Sequence, residues 1–218
     1  MLQLLLFNDR GGIMKKIFLL IGLVALFGLV ATPTYAASFS EKFNKAHSNK
    51  WDFSYSPYGP GRSGNWRIEN KMLIQDEGGD NFIALVKNIQ NADQTIETQL
   101  NINPNSYGGV TVWFKDGANY VSVILYPGHG EIWVEENINN TMNLFRYAGV
   151  SGERTWFTLK VITTSTSGKL DIYLNNVYIL THNTITTYRI GNSGLMSGNG
   201  GGYFDNFSIV SPKTGKGH

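Results

Sequence analysis

The sequence predicts an all-β fold of antiparallel strands, arranged as a sandwich or barrel. Three observations predict it. Apolar residues recur with period two, no long stretch has helical spacing, and short runs are punctuated by Gly, Asn, Asp and Pro. Between Gln94 and Asn103, Ile96, Leu100 and Ile102 point one way and Glu97, Gln99 and Asn101 the other. Between Gly109 and Lys115, Val110, Val112 and Phe114 alternate with Thr111, Trp113 and Lys115. Asp116-Gly117 turns the chain into Tyr120–Tyr126, where Val121, Val123 and Leu125 oppose Tyr120, Ser122 and Tyr126. Pro127-Gly128-His129-Gly130 turns it again into Glu131–Glu135. Later strands are expected over Thr155–Thr163 and Lys169–Leu174, and Asn175-Asn176 has the chemistry of a tight hairpin turn before Val177–Leu180.

The chain begins with a different pattern. Lys15 and Lys16, an apolar run from Ile17 to Val30 and small residues around Thr34-Tyr35-Ala36 make residues 14–36 an expected signal peptide, cleaved before Ala37. The apolar run is shorter than the roughly 20 residues of a spanning helix, so no membrane insertion is expected after cleavage. Residues 1–13 fit no part of a signal and read as an over-extended start. Residues 37–210 read as one domain, and 211–218 as a loose tail. The expected location is outside the cytoplasm, secreted or in the cell envelope.

The whole chain has 18 Lys and Arg against 16 Asp and Glu, and loss of residues 1–36 leaves 15 of each. A neutral domain gives no basis for electrostatic capture of nucleic acid. With no cysteine, the domain has no disulfides and must rely on its own core. Thiol catalysis is excluded, and the four histidines, His47, His129, His182 and His218, lack metal-binding spacing. The glycine run Gly198–Gly202 opens no helix, which argues against a phosphate loop.

The order of several segments resembles the concanavalin A-like jelly-roll superfamily, and within it laminin-G-like and family 66-like carbohydrate-binding modules. The segments are Phe39-Ser40-Glu41-Lys42-Phe43, Trp51, Gly64–Leu73, Gly109–Val123, Trp156–Val161, Gly191–Met196 and Tyr203–Ile209 with its Phe204-Asp205-Asn206. The resemblance implies an antiparallel two-sheet jelly-roll β-sandwich that contacts sugar. It implies a secreted, non-catalytic carbohydrate-binding protein whose partner is a polysaccharide or other glycan. Two alternatives stand beside it: a family 16-like glycoside hydrolase and an extracellular adhesion or structural domain.

Sugar recognition needs exposed aromatic faces beside groups that bond hydroxyls. The expected ligand-binding residues are Trp113, Trp133, Tyr126, Glu97, Gln99, Glu131 and Arg146, with Thr111 and Ser122 beside them. Core burial is the competing reading for Trp113 and Trp133. Tyr55, Tyr58 and Tyr107, with Arg62, His129 and Arg146, are the alternative binding rim, whereas Trp51, Trp66 and Trp156 occupy places the resemblance makes core.

Gly130-Glu131-Ile132-Trp133-Val134-Glu135-Glu136 is similar to the family 16 hydrolase motif. Carried over, Glu131 would be nucleophile and Glu135 or Glu136 acid/base. Trp133 replaces the family's central Asp and is expected to supply neither charge nor a hydrogen bond to the carboxylates. The resemblance also implies a structural Ca²⁺ held by Asp205 and Glu41, with strand capping by Asp205 as the alternative.

Overall fold

The computed structural model describes residues 38–44, 48–55, 63–151 and 155–212. The expected signal segment, His47, Tyr58, Arg62 and residues 213–218 of the tail lie outside them.

Fifteen strands run in chain order: β1 (Phe39–Glu41), β2 (Trp51–Tyr55), β3 (Trp66–Glu69), β4 (Met72–Gln75), β5 (Phe82–Val86), β6 (Gln94–Ile102), β7 (Tyr107–Asp116), β8 (Asn119–Tyr126), β9 (Glu131–Ile138), β10 (Thr141–Ala148), β11 (Trp156–Thr164), β12 (Lys169–Leu174), β13 (Val177–Asn183), β14 (Asn192–Gly198) and β15 (Gly202–Val210). They form two antiparallel sheets. The first has the order β13-β12-β11-β6-β15-β4-β3 with β1 also on β15, and the second β10-β9-β8-β7-β14-β5-β2. The expected two-sheet sandwich is present.

Period-two patterning explains most strands. Along β6, Ile96, Leu100 and Ile102 are buried between the sheets while Glu97, Gln99 and Asn101 stay half-exposed on the other face. The tight turns follow side-chain chemistry. Asn175 and Asn176 have φ of 52° and 65° between the paired Leu174 and Val177, the two left-handed residues that a twisted hairpin needs. Asn139 and Asn140 repeat this between β9 and β10, with φ of 51° and 63°.

The central core joins Trp51, Leu73, Leu100, Val110, Val123, Val134, Leu159, Phe204 and Phe207 across the two sheets. Trp113 belongs to it, which corrects its expected place in a binding groove. A bulge in the β7–β14 pairing between Asn192 and Gly194 sets Val112 and Trp113 opposite Ser193, and Trp113 takes φ 51°. The extra residue shifts the alternation by one. Trp113 turns inward, fully buried, and its indole N–H donates to Ala92 O at 2.6 Å. Phe114 moves to the outer side of the sheet. Trp156 departs in the opposite direction: it is 45% exposed, because Phe157 takes the inward position at the start of β11.

The second sheet carries another apolar layer on its outer face. Ile83, Leu85, Tyr107, Phe114, Tyr120, Ile124 and Met196 form it, flanked by Tyr55, Tyr126, Trp133 and Met142. This sheet curls strongly. In flat pleating, β5 and β9 would stand four spacings, about 19 Å, apart, yet Asn81, just before β5, donates from Nδ2 to Glu135 on β9 at 3.2 Å. Gly109 and Gly194 permit close strand approach: a Cβ on either would lie 1.9 Å from the neighbouring strand's carbonyl oxygen, Val123 O and Ala84 O respectively.

Candidate functional site

β8, β9 and β10 are a meander, so one register places three rows on the outer face of the second sheet. Tyr126 lies opposite Glu131, which faces Ala148; Ile124 opposite Trp133, which faces Arg146; and Ser122 opposite Glu135, which faces Leu144. Cross-strand neighbours of this kind are close enough for direct contact. Tyr126 meets Trp133 edge-on with ring centroids 4.8 Å apart, and His129 stacks on Tyr126 at 4.0 Å. The Arg146 guanidinium lies over the indole at 4.9 Å, a cation–π contact. Tyr107 completes the aromatic group, 5.9 Å from Tyr126 and 6.0 Å from Trp133.

The turn between β8 and β9 presents His129. Pro127–His129 form one 3₁₀ turn, ended by Gly130 at φ 69°, whose N–H donates to Pro127 O. His129 and Arg146 are exposed, while Tyr126, Glu131 and Trp133 are half-buried. The site therefore combines partly open rings with a polar fringe.

The Trp133 indole N–H donates to Glu131 Oε2 at 2.6 Å. This corrects the expectation that tryptophan at this place cannot hydrogen-bond a carboxylate. It orients Glu131 without adding charge.

Glu135 lies deeper. Asn81 Nδ2 donates to its Oε2, Asn81 N donates to Tyr107 Oη at 3.2 Å, and Tyr107 Oη is 2.9 Å from Asn81 Oδ1 and 3.1 Å from Asp80 Oδ1. Burial pushes the Glu135 carboxyl up from an ordinary 4.5 to about 7; the Asn81 hydrogen bond opposes this and the Asp80 charge adds to it. Burial, followed by the charges of Asp80 and Glu135, also holds the Tyr107 phenol well above its usual range. Tyr107 thus remains a hydroxyl donor. Asp80 and Asn81 carried no sequence signal, since their partners are strands away.

The other expected residues divide. Glu97 and Gln99 are on β6 in the first sheet, facing away from its core, so they do not join this group; Gln99 instead accepts from Asn206 Nδ2 at 2.8 Å. Thr111 and Ser122 lie on the outer face but are fully buried and bonded to each other at 2.9 Å. Glu136 points inward, away from Glu131 and Glu135. Its carboxyl accepts from the N–H groups of Ile185 and Thr186 at 3.0 and 2.9 Å and lies 2.8 Å from His182 Nε2, whose Nδ1 is 2.8 Å from Tyr147 Oη. That arrangement removes Glu136 from the expected acid/base pair.

Each of the two expected calcium ligands has other partners. Glu41 accepts from the N–H groups of Lys42 and Phe43 and pairs with Lys50 at 3.0 Å, while Asp205 bonds back to Asn206. Among the described residues no group of three or more His, Cys, Asp or Glu is placed to hold a metal. With carboxylates so committed, calcium or EDTA is expected to leave the melting temperature unchanged in differential scanning calorimetry. A calcium-dependent rise lost in Asp205→Ala would instead establish a site.

No protein-family model and no curated protein sequence matches the chain. Solved structures do. Carbohydrate binding module CBM66 from Bacillus subtilis aligns with TM-score 0.64 and 16% identity, over 74% of this chain and 96% of that one. A GH43 protein, BlXynB, from Bacillus licheniformis aligns with TM-score 0.62 and 16% identity, over 79% and 39%. A prokaryotic β-1,3-1,4-glucanase (lichenase) from a mouse hindgut metagenome aligns with TM-score 0.58 and 12% identity, over 81% and 99%. The chain has the concanavalin A-like jelly-roll fold.

Proposed function

We propose that this is a non-catalytic carbohydrate-binding domain that holds a glycan chain against the curled outer face of its second sheet. The observation that carries the reading is the contiguous group Tyr126, His129, Glu131, Trp133 and Arg146. Its rings offer surface for the apolar faces of sugars, and the guanidinium and carboxylate offer hydrogen bonds to hydroxyls. The likeness to a carbohydrate binding module supports the same reading at the level of fold. Export through the segment 14–36 belongs to this proposal, and a polysaccharide or other glycan outside the cytoplasm is the partner it implies. Among the described residues no helix is long and apolar enough to cross a membrane.

Affinity electrophoresis against a panel of soluble polysaccharides tests the reading. One or more polysaccharides should retard the wild type, and Trp133→Ala should weaken that capture by about 30-fold, the effect of losing a central aromatic anchor worth about 2 kcal/mol. Retention unchanged in Trp133→Ala would remove the groove from this face.

Hydrolysis is a second reading, favoured by one observation. Glu131 and Glu135 project from the same face of β9, and Glu135 holds its proton to about pH 7, as a general acid must. Reducing-end release abolished by Glu131→Gln would replace the first reading with this one.

A further inference from the structure

Behind the aromatic rim, four side chains from three separate segments form one hydrogen-bonded chain: Asp80 and Asn81 before β5, Tyr107 on β7 and Glu135 on β9. Only Asn81 among the described residues donates to the Glu135 carboxyl, through a neutral amide. Among the described residues no Lys or Arg pairs with it, and Arg146 and His129 of the same site lie against the Trp133 and Tyr126 rings. The other described groups facing Glu135 give its anion no counter-charge. Ser122 on β8 and Leu144 on β10 are neutral, Tyr107 is a phenol, and Asp80 is a nearby carboxylate. A buried carboxyl with one neutral donor and a like charge beside it is best accommodated as the neutral acid.

We propose that Glu135 meets the bound glycan as a protonated acid, donating its O–H to a ring or glycosidic oxygen of the sugar at the inner side of the aromatic rim, so that glycan capture weakens as this proton is lost on the alkaline side. The proposal rests on the carbohydrate-binding reading and adds a regulation to it. A carboxylic acid can donate to a ring or glycosidic oxygen, which has no proton of its own to give; a carboxylate only accepts. Losing the proton removes the donated bond and leaves two acceptor oxygens facing each other. It also places a buried anion in the groove, whose desolvation a neutral sugar cannot offset. The direction is fixed by this chemistry: capture is full on the acid side of the midpoint and declines above it.

Two measurements on the full domain test this, using the polysaccharide that retards it most. The first is the carboxyl ¹³C shift of Glu135 against pH without glycan; the second is affinity from pH 5 to 9 for the wild type, Glu135→Gln and Asp80→Asn. The expected Glu135 midpoint lies near 7, well above the ordinary value of about 4.3, and affinity should fall toward tenfold per pH unit above it. Glu135→Gln, which keeps a donor and an acceptor, should bind with no such decline. Asp80→Asn, which removes the like charge from an exposed position, should move midpoint and decline together to lower pH. A Glu135 that titrates in the ordinary carboxylate range overturns the proposal while capture itself stands, as does an alkaline decline that persists in Glu135→Gln. A midpoint near 7 in a protein that captures no polysaccharide at any pH overturns the binding reading, and the proposal with it.

Discussion

Replacing Glu136 with alanine is expected to destabilise the domain by about 3–5 kcal/mol, the cost of breaking one partner out of a buried hydrogen-bonded network. The carboxyl is fully buried and satisfies two backbone N–H groups, of Ile185 and Thr186, besides meeting His182. Those amides belong to the segment that leaves the edge of the first sheet at β13 and enters the middle of the second at β14. Removing the carboxyl leaves both amides and the imidazole without this acceptor in the protein interior. Urea denaturation of the wild type, Glu136→Ala, His182→Leu and the double variant Glu136→Leu with His182→Leu separates the contributions. The double variant should lose less than the two single changes added together, because apolar groups of similar size leave neither side chain as an orphaned polar group. A loss below about 1 kcal/mol in Glu136→Ala would mean that the carboxyl is solvated and that its inward orientation is wrong.

Trp113→Ala is the second large expected effect, again about 3–5 kcal/mol for a buried large-to-small change. The indole is fully buried in the core, and its removal forfeits the hydrogen bond to Ala92 O as well as the packing volume. The bulge that turns it inward is held closely by the residue just before β14, where a Cβ on Gly191 would lie 2.4 Å from Phe114 O. Equilibrium unfolding and glycan affinity measured on the same preparation check the assignment. Stability should fall steeply while the affinity of the remaining folded fraction stays within about twofold of the wild type, since the residue does not reach the groove. Trp133→Ala should show the converse, a loss of affinity with little change in stability. Exchanged phenotypes would reverse the two assignments.

This contrast shows where the local pattern was readable and where it was not. β6, β8 and β9 keep strict alternation, so the inward residues of each are visible in the sequence. In β7 the same alternation misplaces Trp113 and Phe114, because a bulge is a register event involving β14, some eighty residues away. Tryptophan and phenylalanine fit either face, so their identities do not betray the shift. Tyr126, Trp133, Glu131 and Arg146 could be brought together by the short turns of one meander, whereas Glu97 and Gln99 have the right chemistry on a strand of the other sheet. Which sheet a strand joins depends on chain crossings that its own alternation does not encode. The Asp80–Asn81–Tyr107–Glu135 chain was hidden for the same reason, being assembled by sheet curvature. Glu135 and Glu136 are adjacent acids in the sequence; only the phase of the strand sends one to the groove and the other to His182.

Gly109 and Gly194 divide form from recognition in this domain. Each allows a close approach that a methyl group would prevent, and neither contributes a side chain to the aromatic group on the outer face. Most of the rings and charges there are carried by β8, β9, β10 and the turn between β8 and β9. On the proposed binding reading, those residues can be exchanged to suit a different sugar without altering the backbone beneath them, and a change at either glycine would displace that backbone for every ligand alike. Curvature and selectivity would then be independently adjustable properties of one sheet.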